Sequence, residues 1–135
     1  METAEFAFPG ELRDRLVAAI LSGEKTSTSG LYAEYQEEGE SPGEPGERRL
    51  VVDSEGRGVA VIEIVESRVI PIRDVDLPFA LEEGEGFGSV AEWREAHERF
   101  WSSYRDDAID DATLVVAQRF RVVERLAPNA GSARS

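Results

Sequence analysis

One cation stands among four hydroxyls in the run Lys25-Thr26-Ser27-Thr28-Ser29, just after Gly23, and no other stretch of the chain concentrates as much chemistry. Threonine and serine offer a nucleophilic oxygen or hydrogen bonds to a ligand, and a lysine offers positive charge. If a helix begins behind this run, its free backbone N–H groups add an anion site for a phosphate, a carboxylate or a developing oxyanion. The alternative is that Thr28 or Ser29 only caps that helix while Lys25 points to water.

A second concentration is the acidic turn Glu82-Glu83-Gly84-Glu85-Gly86. Its glycines let the backbone approach a ligand and aim one carboxylate into a cleft. Glu85 is the candidate there, as a general base, as a group that orients a lysine, or as an acceptor for an exocyclic amine. A solvated acidic loop is the competing account. His97 falls on an apolar helical stripe, where a satisfied core histidine is the commoner outcome. Trp101 falls off that stripe and is a candidate base-stacking aromatic. Arg94 can reach a cleft or pair with Glu98 one turn on.

Composition removes many other chemistries. The 135 residues suit one domain, and 15 Lys and Arg against 28 Asp and Glu give a net charge of −13 with the single histidine neutral. Such a field repels long nucleic acid and anionic lipid, so a nucleic-acid partner must be small or single-stranded and held in a local cleft. The absence of cysteine excludes disulfides, thiol nucleophiles and zinc knuckles. One histidine argues against histidine-clustered metal sites, and neither a metal nor a cofactor is expected. No apolar run approaches a membrane span, and the N-terminus has no signal-peptide pattern, so a cytoplasmic protein is expected.

These residues need elements to hold them. Leu12, Leu16, Val17, Ile20 and Leu21 predict a helix closed by Gly23. Leu31, Tyr32 and Tyr35 predict a short helix capped by Thr28 or Ser29, followed by an exposed acidic loop over 37–49. Leu50–Val52 and Val59–Val65 read as a hairpin around Asp53–Gly56, Val69–Ile72 as a separate edge strand, and Leu77–Ala80 as a turn. Ser89 with Glu92 forms a capping box before a helix whose stripe is Trp93, His97, Phe100 and Tyr104. Leu114, Val116, Phe120 and Val122 predict a last strand interrupted by Gln118. The pattern is α+β: a small barrel or curled mixed sheet flanked by two main helices over 1–126, with a disordered tail at 127–135.

With these residues in place the sequence resembles the ASCH domains, relatives of the PUA-like RNA-binding fold. The resemblance rests on Leu21-Ser-Gly-Glu-Lys25-Thr-Ser-Thr28, on Phe79-Ala80 with Glu83-Gly84-Glu85-Gly86, and on Ser89, Trp93-Arg94, His97 and Phe100. It implies a PUA-like barrel with a cleft between the lysine loop and the acidic turn. Some members are amidohydrolases of N4-acetylcytidine that use lysine, threonine and glutamate, and at least one is reported as a ribonuclease. Carried over, those roles fall on Lys25, Thr28 and Glu85 as catalytic residues, with Thr26, Ser27, Ser29, Arg94 and Trp101 as ligand contacts. Where many members have arginine, this chain has Gly30. The resemblance thus implies an RNA, nucleotide or modified-nucleoside ligand. It leaves open a hydrolase of RNA or nucleoside, an N4-acetylcytidine amidohydrolase, or a binding module without catalysis.

Overall fold

The computed structural model describes residues 1–126, so the disordered tail expected at 127–135 lies outside the described residues. The elements run β1 (Thr3–Ala4), α1 (Glu11–Ser22), β2 (Ser27–Leu31), α2 (Tyr32–Glu38), β3 (Arg48–Val52), β4 (Gly58–Pro71), α3 (Leu77–Glu82), α4 (Val90–Ser102) and β5 (Leu114–Arg125). The five strands form one sheet in the order β1-β3-β4-β5-β2. β1 lies parallel to β3 and every other pair is antiparallel, so the sheet is mixed. It is the curled mixed sheet rather than the closed barrel, since its ends, β1 and β2, are not neighbours.

Three local expectations need correction. The hydroxyl run is not a helix cap. Ser27–Leu31 pairs in register with Val115–Arg119 of β5, and α2 starts only at Tyr32, with Leu31 at its cap and no side-chain capping bond. Pairing to a neighbour outweighs the local capping preference of Thr28 and Ser29. Val59–Val65 and Val69–Pro71 are not separate strands but parts of the single 14-residue β4, and Ile72 begins the 3-10 turn Ile72–Asp74 that follows it. Glu66-Ser67-Arg68 carries no glycine, proline, asparagine or aspartate to break the strand, and a bulge between Ile64 and Glu66 bends it without interrupting it. The turn expected at Leu77–Ala80 is the helix α3, whose cap, Asp76, accepts from the Phe79 N–H at 3.0 Å, with Pro78 in the first turn.

The two main helices cover different parts of the sheet. Val17 and Ile20 of α1 pack with Phe6, Val51, Val59, Ala60, Ile62 and Phe120. Trp93 and Trp101 of α4 pack with Phe79, Ala80, Leu31, Val115 and Ala117. α4 starts as expected: Ser89 accepts from the Glu92 N–H at 3.1 Å, while the Glu92 carboxylate reaches one residue further back, to the Gly88 N–H at 2.8 Å. Gln118 is settled on its face by donating to Pro42 O at 2.7 Å and Ser67 Oγ at 3.1 Å. Between the two cores the chain leaves α1, passes Lys25, and meets the end of α3.

Candidate ligand cleft

Gly23 ends α1 with φ 91°, its N–H bonding Ile20 O, and the next turn folds back so that the Lys25 N–H reaches Ala19 O at 3.0 Å. That return aims the Lys25 side chain inward, where it is 2% exposed. Its Nζ donates to Ser27 O at 2.9 Å, Glu83 O at 3.3 Å and Glu83 Oε1 at 3.5 Å, and lies 3.8 Å from Glu85 Oε2.

Glu83, at the C-terminal cap of α3, is the centre of the arrangement. Its Oε2 accepts from Ser29 Oγ at 2.7 Å and Trp93 Nε1 at 2.8 Å, and its Oε1 faces His97 Nε2 at 3.3 Å as well as Lys25. Burial disfavours the charged carboxylate, but the Lys25 charge and the bonds from His97 and Trp93 outweigh it and hold the pKa down to about 2. His97 stacks on Trp93 with ring centroids 4.4 Å apart, and its Nδ1 lies 2.8 Å from Trp93 O. Both ring nitrogens therefore face acceptors, which calls for a proton on each. Burial pushes the His97 pKa down, yet the Glu83 carboxylate more than offsets this and leaves it raised.

Glu85 differs from Glu83 in both exposure and proton affinity. Its side chain is 24% exposed, and desolvation with the adjacent Glu83 charge raises its pKa against the pull of Lys25. Gly84 makes this turn possible: at φ +71°, a Cβ there would stand 2.5 Å from Glu24 O and 2.9 Å from the Lys25 Cα. Glu83, Glu85 and His97 also offer ligand atoms within 4.8 Å of one another, a spacing compatible with a metal ion. Both Glu83 oxygens are already engaged by protein donors, however, and the Lys25 ammonium supplies the cation they need.

The cluster opens on a cavity of about 210 Å³ lined by Leu12, Arg15, Leu16 and Ala19 of α1 and by Glu24, Gly84 and Glu85. Arg15 is exposed there and has no carboxylate partner among the described residues, whereas most arginines of this acidic chain are paired.

Of the residues singled out in the sequence, Lys25, Ser29 and Glu85 come together. Ser27 is also at the cluster, but its hydroxyl is spent on Phe79 O at 2.9 Å. Thr28 does not converge with them. Alternation along β2 turns it to the opposite face from Ser27 and Ser29, beside its cross-strand partner Gln118. Thr26 is exposed, and its backbone bonds Glu82 and Phe120. Arg94 is held by Glu98 at 2.5 Å and Asp111 at 2.6 Å, away from the cleft. Trp101 is not a stacking platform: at 3% exposed it belongs to the core, because Trp93, His97 and Trp101, each one turn apart, form the inner stripe of α4. The sequence reading missed Glu83 and Arg15. Nothing local separates Glu83 from Glu82 or Glu85, but the positions of Arg15 and Ala19 beside Leu12 and Leu16 on one side of α1 were a usable signal for the cavity wall.

Residues 3–124 match the family model for the ASCH domain. Among solved structures, the chain is similar to an ASCH domain from Lactobacillus crispatus JV V101, with a TM-score of 0.81 and 28% identity over 92% of this chain and 80% of that one. It is similar also to protein EF3133 from Enterococcus faecalis V583, with a TM-score of 0.80 and 25% identity over 93% of this chain and 77% of that one. A hypothetical protein, PH0355, shares the fold more distantly, with a TM-score of 0.56 and 18% identity over 82% of this chain and 93% of that one. No curated protein matches the chain.

Proposed function

The chain belongs to the ASCH domain family, and from that premise we propose that it binds a nucleotide-sized, RNA-derived ligand in the cleft between α1 and the Gly84–Glu85 turn. The observation that carries this reading is the pairing, on one cavity, of an arginine without a carboxylate partner and a part-exposed glutamate backed by a buried ammonium. Arg15 takes the phosphate, as a guanidinium suits. Leu12, Leu16 and Ala19 offer an apolar wall for the base, and Glu85 meets an exocyclic amine. A cavity of about 210 Å³ suits one nucleotide rather than a duplex. The net charge of −13 limits the number of phosphates gripped, so the salt dependence is shallow.

A hydrolytic role is the second reading, and the raised pKa of Glu85 favours it. Glu85 removes a proton from water as the water oxygen bonds to an amide carbon, and returns that proton to the departing amine. Lys25 does not serve as the base, since its Nζ is committed to Ser27 and Glu83. Thr28 does not serve as the nucleophile, because it lies on the other face of β2. Calorimetric titration with cytidine monophosphate and with N4-acetylcytidine, with released cytidine followed by chromatography, tests both readings. Arg15→Ala should weaken the nucleotide about tenfold or more and the nucleoside little. Equal loss for both, or no binding by the wild-type chain, contradicts the proposal. Cytidine release that Glu85→Gln abolishes and Thr28→Ala leaves intact supports hydrolysis.

A further inference from the structure

The segment Ile64-Val65-Glu66-Ser67-Arg68-Val69-Ile70 reads the same from either end, except that glutamate at one side of Ser67 answers arginine at the other. All of it lies in β4. On one edge β5 pairs with it, from Glu66 opposite Arg119 to Pro71 opposite Leu114. On the other edge β3 reaches only as far as Glu63, opposite Arg48, and Gly46 and Glu47 then close the Ile64 backbone at 2.8 and 2.9 Å. Beyond Ile64 as far as Ile70, that edge has no backbone partner among the described residues. Val65 and Val69 are 46% and 43% exposed beside it.

We propose that this edge of β4 pairs with the same edge of a second copy of the chain, antiparallel about a two-fold axis through Ser67. In that register Val65 meets Val69 of the second copy, Glu66 meets Arg68, and Ser67 meets its own counterpart. Each chain supplies both halves of every pair, as a closed two-fold interface requires. Glu66 and Arg68 share one face of β4, where they already attract each other at 2.6 Å within the chain, so pairing extends an existing charge arrangement across the axis. An unrelated strand would satisfy the backbone equally but not this symmetric side-chain order. The bulge before Glu66 and the missing N–H of Pro71 bound the ladder to about five residues, which keeps the dimer weak and reversible and prevents sheet-to-sheet growth. The inference is independent of the ligand reading.

Sedimentation of the full chain from about 10 µM to 1 mM tests it, since an interface this small is populated only toward the upper end. The wild type should shift from monomer to dimer. Arg68→Glu and Glu66→Arg should each be monomeric throughout, with unchanged far-ultraviolet dichroism, while an equimolar mixture should form a heterodimer because acidic edge then meets basic edge. The chain has no cysteine, so Ser67→Cys gives a second readout: under a mild thiol oxidant it should form an interchain disulfide, and Arg48→Cys, an exposed position on β3, should not. A wild type that stays monomeric to 1 mM, a dimer that survives both charge reversals, or Ser67→Cys chains that crosslink no faster than the control would overturn the proposal.

Discussion

Lys25 and Arg105 each face several carboxylates, yet their surroundings differ. Around Arg105, Glu34, Glu37 and Asp107 lie at 3.4, 2.8 and 2.8 Å, with acidic side chains between 30% and 59% exposed. Water and salt screen such a network, and it is worth little to the fold. It borders a cavity of about 220 Å³ but offers no free cation there, because its guanidinium is saturated. Around Lys25 both the ammonium and Glu83 are 2% exposed, so each charge depends on the other and on Ser29, Trp93 and His97. Burial rather than the number of ion pairs separates a surface network from a site whose proton affinities are set by its neighbours.

The largest expected effect is on the buried side of this comparison. Glu83→Ala removes the buried carboxylate that Lys25 and His97 share, leaving Lys25 only the more distant and more exposed Glu85, and should cost about 3–5 kcal/mol in chemical denaturation. A cost under about 1 kcal/mol would place Glu83 with the screened network. Gly84→Ala comes next, since its Cβ would meet backbone at 2.5 Å in a left-handed conformation. It should destabilise by about 2 kcal/mol or more and lower the Glu85 pKa as that carboxyl moves toward water. A carboxyl titration followed by carbon NMR reads this, and an unchanged titration would show that the close approach does not set Glu85.

What was legible in the sequence follows the same division. The helices α1 and α4, the Gly23 cap and the Ser89 cap were readable, because apolar periodicity and capping chemistry are local. The strand identity of Ser27–Leu31 was not, because it is fixed by β5, almost ninety residues away. The same register sent Thr28 to the wrong face for the role that the lysine-threonine spacing implied. Lys25 and Glu85 stood out as a cation and a glycine-flanked acid. Glu83, central to the cluster, did not, since its role depends on Trp93 and His97 meeting it across a helix junction.

Acid should separate the two regions further. Glu83 has a depressed pKa, so between the ordinary carboxylate range near 4.5 and about 2 the unfolded chain binds a proton that the folded chain does not. Stability therefore falls as pH drops through that window, and the fall should be smaller in Glu83→Gln, which keeps only the contributions of exposed carboxyls such as Glu37 and Asp107 that Arg105 also holds below the ordinary range. His97 has the opposite sign: its raised pKa contributes stability below about 6.5 that is lost as pH rises through the folded value. A wild type whose denaturation midpoint is flat from pH 5 down to 2 would contradict the Glu83 assignment. The smallest effect belongs to Arg105→Ala, at about 1 kcal/mol or less and shrinking in high salt. A larger loss that salt leaves unchanged would mean that this network is less screened than its exposure implies.

The ligand cleft itself is tested most directly by backbone amide shifts of the full chain during titration with cytidine monophosphate. The account predicts perturbations concentrated at the residues that line the cavity, Leu12, Arg15, Leu16, Ala19, Glu24, Gly84 and Glu85, with Gly84 and Glu85 above all, weakened by Arg15→Ala and retained in Thr28→Ala. Perturbations centred instead on the Arg105 and Ile109 cavity, or on the Thr28 and Gln118 face of the sheet, would contradict it.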